Sequence, residues 1–263
     1  MKTVLDFQRY KDNKQKISMI TCYDYSFARI LNASTIDVLL VGDSLAEVIY
    51  GHPNTCYATV SMMNLHTSAV SRGAPNKFIV ADMPFLSTRK GKKYAIETAG
   101  NLITSGAKAV KIEGAKSNVS LITHLVESGI PVMGHLGLTP QFIHQLGGNK
   151  IQGRDEACAN NIINDALLLE QAGCFSIVLE CIPNTLSEKI TAALTIPTIG
   201  IGAGPNTSGQ VLVLQDMLGM HPVFLANFLK LYAALAEYIL SSVNAYASDV
   251  SSVAFPNKEH AYD

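Results

Sequence analysis

Charged residues are sparse in this sequence, and several fall in one kind of place, at the end of a short run of aliphatic and β-branched residues. Asp43 and Ser44 follow Val41-Gly42, and Asp82 follows Val80-Ala81. Lys111 and Glu113 lie in Val110-Lys111-Ile112-Glu113, His135 follows Val132-Met133-Gly134, and Glu180 follows Val178-Leu179. If each run is a parallel strand, these side chains open on one face, where α/β folds build their sites. Lys111 and Glu113 are two residues apart and share a strand face, whereas Val110 and Ile112 point the other way. A cation and an anion are therefore carried side by side. Asp43, Asp82 and Glu113 aimed at one cavity repel one another unless positive charge lies among them. A divalent cation supplies that most simply. An all-oxygen set without cysteine or a histidine pair favours Mg²⁺ or Mn²⁺ over zinc. Any one of these aspartates alone is as readily a helix cap, and Lys111–Glu113 alone a buried ion pair; the set argues for a metal. His135 is a secondary site residue or a satisfied structural histidine, and its type leaves that open.

The runs that must position these residues are Ile17–Thr21, Asp37–Val41, Phe78–Ala81, Ala109–Ile112, Ile130–Met133, Ser176–Leu179, Pro197–Ile201 and Val211–Leu214. Their near-continuous hydrophobicity indicates strands covered on both faces. Helical patterns intervene at Lys93–Thr104, Leu121–Glu127, Asn160–Gln171 and Leu186–Leu194. Ser105-Gly106, Ser128-Gly129 and Ala172-Gly173 supply helix stops. Eight runs alternating with helices predict an α/β fold, a single (β/α)₈ TIM barrel spanning 1–263, ahead of a doubly wound open sheet. From 222 to 263 the pattern changes. Phe228, Leu231, Tyr232, Leu235 and Tyr238 predict a long C-terminal helix, followed by a polar arm from Ser248. Gly200-Ile201-Gly202-Ala203-Gly204 has the wrong spacing and place for a dinucleotide fingerprint and reads as tight turns at the rim.

Composition excludes several function classes. Of 263 residues, 48% are hydrophobic and 16% charged, which rules out intrinsic disorder. Twenty Lys and Arg against 21 Asp and Glu give a net charge of −1, without the basic excess of a nucleic-acid or membrane-surface binder. No apolar run reaches the length of a membrane span, and Met1–Lys16 lacks the apolar core of a signal peptide. Cys22, Cys56, Cys158, Cys174 and Cys181 form no CxxC or zinc pattern and fit a reducing, cytoplasmic setting. So apolar a chain is expected to hide surface in subunit contacts.

Several segments, in order along the whole chain, resemble the ketopantoate hydroxymethyltransferase family. They are Thr21-Cys22-Tyr23-Asp24-Tyr25, Val41-Gly42-Asp43-Ser44-Leu45, Arg72-Gly73-Ala74-Pro75-Asn76, Val110-Lys111-Ile112-Glu113-Gly114, Gly134-His135-Leu136-Gly137-Leu138-Thr139-Pro140-Gln141, Leu179-Glu180-Cys181-Ile182-Pro183, Ile199-Gly200-Ile201-Gly202-Ala203-Gly204 and Gly209-Gln210-Val211-Leu212-Val213. The resemblance implies a (β/α)₈ barrel that uses one Mg²⁺ per subunit and 5,10-methylenetetrahydrofolate. Its reaction would hydroxymethylate 3-methyl-2-oxobutanoate through a metal-stabilised enolate, giving 2-dehydropantoate. It further implies Asp43 and Asp82 as direct metal ligands and Glu113 as a ligand directly or through water. Asp43, Ser44, Asp82 and Lys111 match positions that hold the oxo acid, and Glu180 matches the proton acceptor. A homodecamer, built as a pentamer of dimers or stacked rings, is implied as well. Ala46 (Gly in the family), Ser208 (acidic), Met62 and Met63 (a more acidic stretch) and Ala226 (often Lys) depart from the pattern outside the metal and oxo-acid set.

Other functions compete. A Mg²⁺-dependent lyase or mutase of the isocitrate-lyase kind shares the barrel and enolate logic, but its Lys-Cys-Gly-His run is absent here. A Schiff-base aldolase would use Lys111 as nucleophile. A non-catalytic binding barrel would leave the convergence of Asp43, Asp82, Lys111, Glu113 and Glu180 unexplained.

Overall fold

The computed structural model describes residues 2–220 and 227–262. Residues 221–226, which include the start of the expected C-terminal segment and Ala226, lie outside the described residues. The chain divides into two compact units, Met1–Leu212 and Val213–Asp263.

The first unit is a closed barrel of eight parallel strands in sequence order. They are β1 (Ile17–Thr21), β2 (Val38–Val41), β3 (Phe78–Asp82), β4 (Ala109–Glu113), β5 (Val132–Gly137), β6 (Ser176–Glu180), β7 (Thr198–Ile201) and β8 (Gly209–Leu212). Closure rests on β1 pairing with both β2 and β8. The long helices are α1 (Val4–Asp12), α2 (Tyr25–Asn32), α3 (Val60–Gly73), α4 (Lys92–Thr104), α5 (Val119–Glu127), α6 (Glu156–Gln171), α7 (Asn184–Ala193) and α8 (Leu235–Ser251). α4, α5 and α6 end just before Gly106, Gly129 and Gly173, as the stop signals require.

The expected alternation fails once. β7 passes to β8 through residues 202–208 without a helix. Gly202 and Gly204, both with positive φ, turn the chain back at the rim, as the glycine spacing predicts. Two strands are also displaced from their predicted runs. β5 begins at Val132 because Pro131 carries no amide hydrogen for a ladder, and β8 begins at Gly209, whose missing side chain admits the Ile17 carbonyl.

Inside the barrel the strand period of two sorts residues by height. Ile17 and Met19, Val38 and Leu40, Phe78 and Val80, Ala109, Met133, Val178, Ile199 and Val211 form one buried apolar cluster. Continuing the same inward positions upward reaches Asp82 on β3, Lys111 and Glu113 on β4, His135 on β5 and Glu180 on β6. α1 closes the opposite end. Its N-terminus carries a capping box between Thr3 and Asp6. Phe7 is driven into the cluster, edge-on to Phe78 and to Phe175 with ring centroids 5.0 Å away in each case.

In the second unit the helix starts later than its apolar spacing predicts. Residues 227–234 are turn and irregular chain, and α8 begins only at Leu235. The cause is competition for donors. The amides of Tyr232, Leu235 and Ala236 are given to the carbonyls of Met217, Leu218 and Gly219, which cap the short helix Leu214–Met217. α8 then runs to Ser251, past the predicted start of the polar arm, and has no buried residue. Among the described residues, no helix is long and apolar enough to cross a membrane.

Phe7→Ala removes the aromatic plug and is expected to lower unfolding free energy by about 3–5 kcal/mol, read as a shift in the urea midpoint with an unchanged slope.

Candidate active site

Strand register brings the predicted residues together. Asp82 on β3 pairs with Lys111 on β4, and Glu113 on β4 pairs with His135 on β5. Lys111 Nζ lies 3.3 Å from Asp82 Oδ1 and 3.1 Å from His135 Nδ1. His135 reaches in two directions, with Nδ1 3.4 Å from Glu113 Oε1 and Nε2 3.2 Å from Glu180 Oε2. His135 therefore stands among these groups.

Asp43 arrives by a different device. It lies one residue beyond Gly42, where a Cβ would stand 2.8 Å from Ser44 Oγ and 3.6 Å from Asp82 Oδ2. The bare glycine lets the chain turn close to Asp82, whose Oδ2 accepts the Asp43 amide at 3.0 Å. Ser44 Oγ stands 2.8 Å from the buried hydroxyl of Tyr23. Gly137, at φ +92°, takes a left-handed conformation with the Glu180 carbonyl pressed against it, and the next amide, of Leu138, donates to that carbonyl at 2.8 Å. This fixes the end of β6 from which Glu180 projects.

Asp43, Asp82, Lys111, Glu113 and His135 are all buried, whereas the Glu180 side chain keeps 18% of its exposure. Burial sets the titration of the group. Asp43 is pushed well above the usual carboxylate range by desolvation and then by the charges of Asp82 and Glu113. Asp82 is raised by desolvation, with Lys111 opposing. Desolvation would raise Glu113 too, but His135, Lys111 and the Gln141 amide outweigh it and hold Glu113 low. Burial and Lys111 oppose charge on His135, yet Glu113 and Glu180 carry it up to about 9. Lys111 is pushed up despite its burial, because Asp82, Glu113, Asp43 and Glu180 all favour the ammonium.

Among the described residues, no three His, Cys, Asp or Glu side chains are closed to metal-ligand spacing. The carboxylates are held instead by Lys111, His135 and Gln141. Their chemistry nonetheless fits a hard divalent cation. Asp82 Oδ1 and Glu113 Oε1 are buried without a hydrogen-bond partner, beyond their ion-pair contacts with Lys111 and His135. Asp43, Asp82 and Glu113 offer only oxygen.

Three contributors were not assigned roles by residue type and spacing. Gln141 donates to Asp43 from 98 residues away, with nothing local to signal it. Tyr23 anchors Ser44. Asn118, fully buried, donates through Nδ2 to the carbonyls of Glu113 at 2.9 Å and Gly114 at 3.2 Å, pinning the end of β4.

The sequence profile of the family described as Ketopantoate hydroxymethyltransferase matches residues 1–258. The chain belongs to that family. Among relatives of the ketopantoate hydroxymethyltransferase family, the 3-methyl-2-oxobutanoate hydroxymethyltransferase of Bdellovibrio bacteriovorus is 55% identical over 262 residues, covering 100% of both chains. That of Francisella tularensis subsp. novicida is 52% identical over 263 residues, covering 100% of this chain and 99% of its own. Family membership makes the chain an enzyme, a hydroxymethyltransferase of pantothenate biosynthesis. Solved structures support the barrel. 2,3-Dimethylmalate lyase, a PEP mutase/isocitrate lyase superfamily member, aligns at TM-score 0.62 and 15% identity, covering 100% of this chain and 93% of that one. Phosphonopyruvate hydrolase in complex with oxalate and Mg²⁺ aligns at 0.63 and 10% identity, covering 99% and 93%. At such identity the likeness is one of fold.

Asn118→Ala takes a donor from the buried Glu113 carbonyl and from the half-buried Gly114 carbonyl at the end of β4. It is expected to cost about 1–3 kcal/mol, measured by thermal or denaturant unfolding.

Proposed function

We propose that this family member transfers a one-carbon unit from 5,10-methylenetetrahydrofolate to 3-methyl-2-oxobutanoate, giving 2-dehydropantoate, with one Mg²⁺ per subunit. The observation that carries the metal is the buried trio Asp43, Asp82 and Glu113, with oxygens of two of them lacking hydrogen bonds. Asp43 and Asp82 would hold the cation directly, and Glu113 directly or through water. When bound there, a divalent cation supplies a Lewis acid worth several kcal/mol for negative charge developing on a keto oxygen.

The chain's own residues do the rest. Lys111, kept as an ammonium by the carboxylates around it, pairs with the carboxylate of the oxo acid as a point charge. That same charge argues against the Schiff-base alternative, because an ammonium has no lone pair to attack a carbonyl. The Ser44 hydroxyl, held by Tyr23, orients the acid beside Asp43 and Asp82. Glu180 takes the proton from C3; water adds to the one-carbon unit as its bonds to the folate nitrogens break and tetrahydrofolate leaves, and the C3 electron pair attacks the resulting formaldehyde carbon, whose oxygen takes up a proton to become the hydroxyl. His135, 3.2 Å from Glu180 Oε2, aims that carboxylate. Partial exposure lets Glu180 pass its proton to solvent.

The proposed enzyme works in the cytoplasm as a homodecamer, with small molecules as its other partners and no nucleic acid or membrane. Self-association is supported by α8, where Tyr238, Leu240, Val243 and Tyr246 are 71%, 62%, 56% and 58% exposed, apolar surface that water does not favour. Sedimentation velocity should give a particle of ten chains, and a monomer would remove this part of the proposal.

The deciding experiment is a metal-dependent assay with methylenetetrahydrofolate and 3-methyl-2-oxobutanoate. EDTA should abolish turnover and Mg²⁺ restore it. Without folate, the enzyme should still exchange the C3 hydrogen for solvent deuterium. Glu180→Gln should slow that exchange by about 100-fold or more, whereas exchange at the wild-type rate would take the proton-acceptor role from Glu180.

A further inference from the structure

We infer that Gln141 is a positioning residue for the metal-binding carboxylates, holding Asp43 and Glu113 in the arrangement from which a divalent cation is bound. The inference rests on the reading of Asp43, Asp82 and Glu113 as a metal centre. Gln141 lies in the tight turn Pro140–Phe142 that follows β5. Its side-chain Nε2 donates to Asp43 Oδ2 at 2.7 Å and to the Met83 carbonyl at 2.9 Å. Its backbone amide donates to Glu113 Oε2 at 3.0 Å. One residue thereby holds chain from just beyond β2, just beyond β3, and the end of β4.

The chemistry is specific to a carboxamide. Both acceptors of Nε2 are oxygens, so both hydrogens of one nitrogen are in use and the amide can face only one way. A glutamate in its place would offer no donor, and an aliphatic side chain would fill the space and leave Asp43 Oδ2 bare. The two carboxylates are engaged through the oxygens Asp43 Oδ2 and Glu113 Oε2, while Glu113 Oε1 meets the His135 ring at 3.4 Å, an ion-pair contact longer than its partner's hydrogen bond. A donor on one oxygen of a carboxylate fixes the plane of the other. Residues that orient ligands in this way contribute about 10–100-fold to metal affinity. The turn itself is held from its far side, with the Cys56 thiol 3.5 Å from the Gln141 carbonyl.

The test is calorimetric titration of metal-depleted protein with MgCl₂ alone, without substrate, comparing wild type with Gln141→Met. This variant keeps the length of the side chain and the backbone amide to Glu113 but removes both side-chain donors. Circular dichroism reports whether it is folded. A Kd for Mg²⁺ raised tenfold or more in the folded variant is the expected result, because a residue that merely packs the turn would alter the melting temperature and leave the Kd in place. A Kd within tenfold of wild type overturns the inference. Should Gln141→Met not fold, Gln141→Asn, whose amide is drawn back by one methylene, is judged by the same criterion. If wild-type protein binds no Mg²⁺, the metal-centre reading itself falls. If wild type binds and the variant binds equally well, only the role of Gln141 falls.

Discussion

Like charges in a desolvated space set the terms for this molecule. Asp43, Asp82, Glu113 and Glu180 converge at the top of the barrel, and among the described residues the basic groups Lys111 and His135 stand against them. Water would screen such a group; the barrel mouth screens it far less. The strain emerges at Asp43, whose carboxyl burial and the charges of Asp82 and Glu113 push well above its ordinary range. Everything nearby answers that repulsion: the Lys111–Asp82 ion pair, the His135 bridge to Glu113 and Glu180, and the Gln141 amide on Asp43. Such an imbalance is poor for stability, and buried acids short of positive charge are a common setting for a functional site.

The barrel delivers these groups by repetition. A parallel strand turns alternate residues inward, and the same inward series that is aliphatic at Phe78 and Val80 or at Ala109 becomes ionic at Asp82, Lys111 and Glu113. Two backbone specialisations complete the placement. Gly42 lets the chain bend against Asp82, and Gly137 lets it pass over the Glu180 carbonyl. Neither adds a polar group, but each decides where a carboxylate can stand.

Much of this was legible in the residues. The pairing of Lys111 and Glu113 on one face follows from a spacing of two, and the clustering of acids at strand ends follows from a parallel sheet. What stayed hidden depends on contacts distant in sequence. Gln141 was visible within its segment but not its reach to Asp43, because the reach depends on how a turn folds over three strands. Phe228 and Leu231 carry helical spacing without helix, because nearby amides are claimed by the carbonyls of Met217, Leu218 and Gly219. The general alternation of strand and helix breaks between β7 and β8, where the Gly200–Gly204 run announces a tight rim turn. Periodicity reports which face a residue occupies and is silent on which partner takes its hydrogen bond.

The Phe7, Phe78 and Phe175 stopper at the foot of the barrel has a kinetic corollary. Above it the interior is filled with side chains, so a small molecule meeting Lys111 or Glu180 enters and leaves by the same rim.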